Sequence, residues 1–320
     1  MKKALIVGVG YHENKALELF ECVSDAKSVE SVLSKNSDGT SNFDTTLMVA
    51  DYKAKITRKE LKKSVIKLFE DDSDVALFYF SGHGYVEDTG GYLITSECKD
   101  GDDGFPLTEL LQLANNSPAK NRIIVLDCCY AGFAGKLSGA DDKSILSEGL
   151  TILAASKGTQ PADTVENELS IFTRLFVDAL NGGASNLLGE ITLGSVYAHI
   201  DKSLGPWEQR PIFKANVQSF INLRKVTAPI SFLDLKEIVN LFPKKEEPFQ
   251  LNPTFEPTEQ SYIPENGKKF ALLQKYNRLN LVVPIDEDHM YYAAMNSKTC
   301  QLTVLGKHYW NLVNEGRIYG

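Results

Sequence analysis

The sequence predicts an α/β protein: a mainly parallel sheet covered by helices on both faces, followed by a small, mainly α carboxy-terminal module. Three observations predict it. Through the first two thirds of the chain, short apolar runs of strand type alternate with helical segments, the pattern of parallel strands joined by crossover helices. Two of these runs, Phe78-Tyr79-Phe80-Ser81-Gly82-His83-Gly84 and Ile123-Ile124-Val125-Leu126-Asp127-Cys128-Cys129-Tyr130-Ala131-Gly132, stop at reactive side chains bordered by glycine or small residues. A parallel sheet delivers chemistry to its carboxyl edge in this way. From about Val226 onward the alternation ends.

Taken in order, residues 4–9 read as the first strand and residues 25–34 as a helix. Residues 45–50 form the next strand, and a helix starts at Thr57, where Thr57-Arg58-Lys59-Glu60 reads as a capping box. The histidine strand, 75–80, is followed by a glycine-rich acidic loop, a helix over 107–114, the cysteine strand over 122–126 and a further strand over 151–155. Residues 172–180 read as a helix that ends before Asn181-Gly182-Gly183. Pro243, Pro248, Pro253, Pro257 and Pro264 then stand among Lys and Glu, so residues 226–265 are expected to run extended as a linker. Beyond it, 268–276 and 287–295 have helical character, and Leu305, Tyr309, Leu312 and Val313 share the spacing of one helix face. Residues 266–320 are thus expected to form a small helical accessory module, open to a winged-helix reading.

At 320 residues and 43% hydrophobic content, the chain can bury one large core and a second, smaller one. A net charge of −8 argues against nucleic acid as a partner, because no basic excess exists to release counterions from phosphates. From Val226 on, ten Lys and Arg stand against eleven Asp and Glu, so a winged-helix module here would face protein rather than DNA. Five cysteines, an odd number with Cys128 and Cys129 adjacent, suit a reducing compartment better than a disulfide framework. No run approaches eighteen apolar residues and no signal-peptide order appears, so the expected location is the cytoplasm, away from membranes.

Imidazole at one strand end and thiol at another supply the parts for nucleophilic attack on an amide: a thiol is already a few per cent thiolate at neutral pH, and a neighbouring imidazole can take its proton. Ser81-Gly82-His83-Gly84 followed by Asp127-Cys128-Cys129-Tyr130-Ala131-Gly132 resembles the caspase and metacaspase superfamily of cysteine peptidases, particularly its prokaryotic members. In that pattern histidine precedes cysteine by about fifty residues. Lys3-Ala4-Leu5-Ile6-Val7-Gly8-Val9-Gly10 is similar to the family's first strand, Cys22-Val23-Ser24-Asp25-Ala26 to its following helix, and Leu150-Thr151-Ile152-Leu153-Ala154-Ala155-Ser156 to its next sheet strand. The resemblance covers residues 1–225 and implies a caspase-hemoglobinase-like sandwich.

It also implies roles. Cys129, two residues after the aspartate, would be the nucleophile, with Cys128 structural; His83 would be the base, and the backbone N–H groups of Gly84 and Cys129 would form the oxyanion hole. Glycine at 84 suits that role, since a substrate carbonyl can approach without meeting a Cβ. No orienting carboxylate is assigned, the superfamily working as a dyad. The Gln-Ala-Cys-Arg-Gly motif of aspartate-specific caspases is absent. Asp25 and Asp127 instead match the metacaspase positions of an acidic pocket for arginine or lysine, where a carboxylate pair binds a guanidinium and repels an acidic side chain.

No cofactor is expected. Many metacaspases need calcium, and Asp100, Asp102 and Asp103 were candidate ligands, but they fall several residues before the place where the family carries its aspartate run, so a solvated acidic loop is favoured. Residues 133–149 lie where caspase-like zymogens are often cut between subunits. The implied function is an endopeptidase cutting protein or peptide substrates after Arg or Lys. Resemblance adds an effector role in prokaryotic stress or antiviral defence, gated by an activating protein or a small nucleotide signal. The alternative is a catalytically silent adaptor or signalling scaffold on the same fold.

Overall fold

The computed structural model describes residues 1–87, 90–128, 146–155, 169–205 and 210–318. They divide into two compact units, Met1–Thr227 and Ala228–Gly320.

In the first unit the chain runs β1 (Lys2–Val9), α1 (Glu21–Ser34), β2 (Asp44–Ala50), α2 (Arg58–Glu70), β3 (Val75–Ser81), β4 (Gly84–Glu87), β5 (Gly90–Leu93), β6 (Phe105–Pro106), α3 (Leu107–Asn115), β7 (Asn121–Asp127), β8 (Leu150–Ala154), α4 (Ile171–Asp178), a π-helical turn (Ala179–Gly183), β9 (Glu190–Thr192), α5 (Leu193–Ser203), β10 (Ile212–Asn216) and β11 (Asn222–Lys225). The main sheet has the order β10-β8-β7-β3-β1-β2. All its neighbours are parallel except β10, which closes the edge antiparallel to β8.

Strand periodicity sorts the buried side chains onto two faces. Leu5, Val7 and Val9 of β1 join Phe78 and Phe80 of β3 in one core, beneath Leu61 and Val65 of α2 and Leu110 and Leu111 of α3. Ala4 and Ile6 join Leu77 and Tyr79 in the other, beneath Ala26 and Val29 of α1, Phe176 of α4 and Val196 of α5. With both faces covered, β3 is buried along its whole length, which explains why it reads as a continuous apolar run rather than an alternating one. The capping box of α2 is present: Thr57 Oγ1 accepts from Glu60 N, and Glu60 Oε2 accepts from Thr57 N at 2.9 Å.

Since β1 lies between β2 and β3, with α1 on one face and α2 on the other, the connections leaving the carboxyl ends of β1 and β3 diverge. Such a switch in strand order opens a crevice at the carboxyl edge. Three short ladders escape the sequence reading. The sheet β4-β5-β6 follows His83 directly, and β9 pairs antiparallel with β11. The third lies in the second unit. Strands this short carry too few residues to show an alternation.

The second unit contains α6 (Phe232–Lys236), α7 (Ile238–Leu241), β12 (Phe249–Gln250), a 3-10 turn (Pro253–Phe255), α8 (Pro264–Arg278), β13 (Val282–Pro284), α9 (Met290–Met295), β14 (Thr299–Leu302) and α10 (Val304–Asn314), with sheet order β12-β14-β13. The extended linker expected over 226–265 is corrected here. Leu235, Ile238, Phe242, Leu251 and Phe255 are buried, and Phe242, Phe249, Phe255 and Phe270 form a chain of ring contacts. Pro253 and Pro264 open helical turns, where a missing N–H costs nothing, instead of preventing structure. On α10 the stripe Leu305, Tyr309, Leu312 and Val313 is at most half-buried. That helix is held instead by Gly306, whose Cβ would fall 2.0 Å from the Leu281 carbonyl oxygen, and by Trp310 Nε1, which donates to the Phe242 carbonyl at 2.7 Å. Among the described residues no helix is long and apolar enough to cross a membrane.

Candidate active site

The crevice is built on one row across the sheet. Gly8 of β1 pairs in register with Ser81 of β3, and Ser81 with Asp127 of β7. Gly8 is small for a reason: a Cβ there would sit 2.3 Å from the Cys22 carbonyl oxygen and 2.8 Å from Ala26 Cβ. The missing side chain lets α1 lie close against the sheet, and this lowers Asp25, one turn past Cys22, over the row. Ser81 Oγ then donates to Asp25 Oδ2 at 2.8 Å, and the Ser170 backbone N–H donates to Asp25 Oδ1 at 3.0 Å.

Asp127 is served from α4. Ser170, the N-cap of that helix, accepts from Thr173 N and donates its hydroxyl to Asp127 Oδ2. Thr173 Oγ1 donates to the same oxygen at 2.6 Å, and because that hydroxyl is spent, the Tyr79 phenol donates to Thr173 in turn. The two carboxylates therefore accept only from neutral donors; among the described residues no basic side chain bonds to either. Their acidities reflect this. Burial first, then the charge of Asp127, raises Asp25 from 3.8 to about 7. Burial likewise raises Asp127, against the pull of its Ser170 and Thr173 hydrogen bonds. Such a pair is short of one positive charge.

His83 leaves the end of β3 by way of Gly82, whose N–H donates to the Asp127 carbonyl at 3.3 Å and so ties the histidine turn to the cysteine strand. The His83 Nε2 lies 2.9 Å from the Leu17 carbonyl oxygen. A carbonyl can only accept, so Nε2 carries the proton and Nδ1 keeps the basic lone pair. The orienting group is thus a backbone carbonyl. The His83 carbonyl accepts from Ile94 N, making Gly84 and Leu93 a non-hydrogen-bonded antiparallel pair. The Gly84 N–H is therefore left out of the ladder, as an oxyanion donor must be.

Cys129, the expected nucleophile, lies outside the described residues, as does most of 133–149, where cutting between subunits is expected. Cys128 is buried in the core beside Leu126 and Ala154. In the acidic loop, Asp103 Oδ2 accepts from the backbone amides of Lys99 and Asp100, and among the described residues no cluster of three His, Cys, Asp or Glu could hold a metal ion.

Sequence reasoning missed Ser170, Thr173, the Leu17 carbonyl and His12. The last is fully buried, with its ring centroid 5.5 Å from that of His83, and among the described residues neither of its nitrogens has a hydrogen-bond partner. Backbone groups of Thr95 and Val9 face it outside bonding geometry, and burial, followed by the proximity of His83, lowers its pKa and keeps it neutral. Only Ser170 gave a signal, as a serine just before an apolar helical run.

The family model for the caspase domain (Peptidase_C14) matches residues 1–221. Among solved structures, caspase-1 from Spodoptera frugiperda superposes with a TM-score of 0.50 at 13% identity, covering 70% of this chain and 92% of that one. A structure of pro-sf-caspase-1 gives a TM-score of 0.47 at 14% identity, covering 71% of this chain and 94% of that one. No curated protein matches the chain in sequence.

Proposed function

The chain belongs to the caspase-domain family, and on that premise we propose that it is a cysteine endopeptidase that cleaves after arginine or lysine. His83 Nδ1 takes the thiol proton of Cys129, and the thiolate attacks the scissile carbonyl carbon. The oxyanion accepts from the N–H groups of Gly84 and Cys129. The His83 imidazolium then protonates the leaving amine, and water, deprotonated by the same nitrogen, hydrolyses the thioester. Leu17 keeps the ring in the tautomer this sequence of transfers requires.

The observation that carries the specificity is the pair Asp25 and Asp127. Each is held in place by neutral hydroxyl or amide donors, both are pushed toward protonation by burial, and Asp127 ends the strand that neighbours the histidine strand. An incoming guanidinium or ammonium supplies the missing charge with charge-assisted hydrogen bonds, whereas an aspartate would add a third carboxylate.

The test uses the full chain with fluorogenic peptides ending in Arg or Lys, with and without calcium. Cys129→Ala and His83→Ala should each abolish cleavage, and Cys128→Ala should retain much of it because its side chain belongs to the core. Activity lost in a folded Cys128→Ala but kept in Cys129→Ala would reverse the assignment.

A further inference from the structure

From two residues past Asp25 on α1, and at the carboxyl end of α4, the two helices bound an open cleft of about 410 Å3, within the range of roughly 300–1,000 Å3 that small-molecule sites occupy. Its floor is apolar, Val32 and Val177; its polar lining is Lys27, Ser28 and Ser31 of α1, Asn181 of the π-helical turn and Arg224 of β11. Two cations line it and no carboxylate does, on a chain whose net charge is −8.

Arg224 is the informative member. Its Nε donates to the Lys35 carbonyl at 2.9 Å, and its Nη1 to the Leu180 carbonyl at 2.7 Å and to Asn181 Oδ1 at 3.0 Å. All three acceptors are neutral. They fix the plane of the guanidinium but leave its charge uncompensated, and burial lowers its pKa with no carboxylate raising it. The neighbouring acids bond to other groups: Asp25 accepts from Ser81 and Ser170, Glu30 from Thr45, Asp51, whose charge is felt by Lys27, from the amides of Lys53 and Ala54, and Asp178 pairs with His199. Ser31 follows Lys27 by four residues and Ser28 by three, so its hydroxyl lies on the helix face between theirs.

We infer that this cleft binds a small phosphate-bearing molecule. A fixed guanidinium, an ammonium and two hydroxyls match a group with three charged acceptor oxygens, and the apolar floor takes the body of the ligand. The site also has a reason to matter. Both bounding helices hold the carboxylate pair, α1 through Asp25 and α4 through Ser170 and Thr173, so a ligand bridging them bears on the geometry of that pair. This last step rests on the acidic-pocket reading; the binding itself does not.

The experiment is titration calorimetry of the full chain carrying Cys129→Ala, with inorganic phosphate, ribose 5-phosphate and AMP in separate arms. The expected result is saturable binding of at least one, with inorganic phosphate competing against the others. Free phosphate alone in the site would show equal affinity in all three arms; an organic phosphate ligand would show the tighter one. Lys27→Glu should weaken binding by about ten-fold or more without changing the melting temperature. Arg224→Gln should weaken it likewise, and because that side chain also ties two carbonyls, Lys27→Glu is the deciding variant. No saturable binding in any arm, or binding that survives Lys27→Glu, overturns the inference.

Discussion

The two halves of the carboxyl edge are built to different rules. On the Asp25–Asp127 side every hydroxyl is spoken for: Tyr79 donates to Thr173, Thr173 and Ser170 to Asp127, and Ser81 to Asp25. On the His83 side groups are left over among the described residues: no donor reaches Nδ1, the Gly84 N–H is outside its ladder, and both nitrogens of His12 lack partners. On the proposed function, the difference separates recognition from chemistry. A specificity pocket must hold its charges at fixed positions before substrate arrives, so its hydrogen bonds are made within the protein. A centre that moves protons and receives a developing charge must keep donors and acceptors unspent.

That contrast can be broken experimentally, beginning with the largest effect. Asp127→Asn keeps the shape of the network but removes a buried charge, and it should lower kcat/KM for Arg and Lys peptides by about ten-fold or more. An unchanged rate with a basic peptide would show that the wired half does not read the substrate.

Asp25 should reveal itself through pH. In the folded protein it keeps its proton to about pH 7, whereas unfolded it ionises near 3.8. Between those values the folded state binds more protons, so stability should fall as pH rises through this window and level off above it, by an amount on the order of a few kcal/mol. Chemical denaturation from pH 4 to 8 should show this slope in the wild type and a flattened one in Asp25→Asn. The affinity for a basic peptide should move in the opposite sense, rising as pH climbs through 7, because binding needs the ionised pocket. Parallel slopes in the two proteins would contradict the raised acidity.

The smallest effect belongs to His12. Leaving a buried donor or acceptor unmatched costs about 1–3 kcal/mol, so the shape-conserving His12→Phe should unfold at the same temperature as the wild type or a higher one and keep most of its activity. A marked drop in melting temperature would mean that the imidazole nitrogens have partners after all.

Much of the first unit was legible because burial on both faces of a parallel sheet writes itself as apolar runs. Val75 to Phe80 and Ile123 to Leu126 gave the strands, and their ends pointed to His83 and Cys129, whereas the pocket role of Asp127 came from resemblance. Asp25 was legible only through resemblance, since nothing local distinguishes it from a solvated helix acid. Its burial depends on the close approach that Gly8 permits, a contact between segments. The Leu17 carbonyl could not be read at all, because every residue offers the same group. Ser170 announces a helix start but not the carboxylate its hydroxyl reaches. The expected linker over 226–265 failed for a different reason: its five prolines disfavour regular structure, but Phe242, Phe249 and Phe255 between them supply the side chains that pack.

The most direct measurement of the central claim is a set of fluorogenic peptides identical except for the residue before the scissile bond, Arg, Lys, Asp or Asn, cleaved by the wild type and by Asp25→Asn and Asp127→Asn. Cleavage after Arg and Lys, none after Asp, and a loss of basic preference in both variants are the expected results. Cleavage after Asp, or a preference for Arg and Lys that is unchanged in both variants, would contradict that claim.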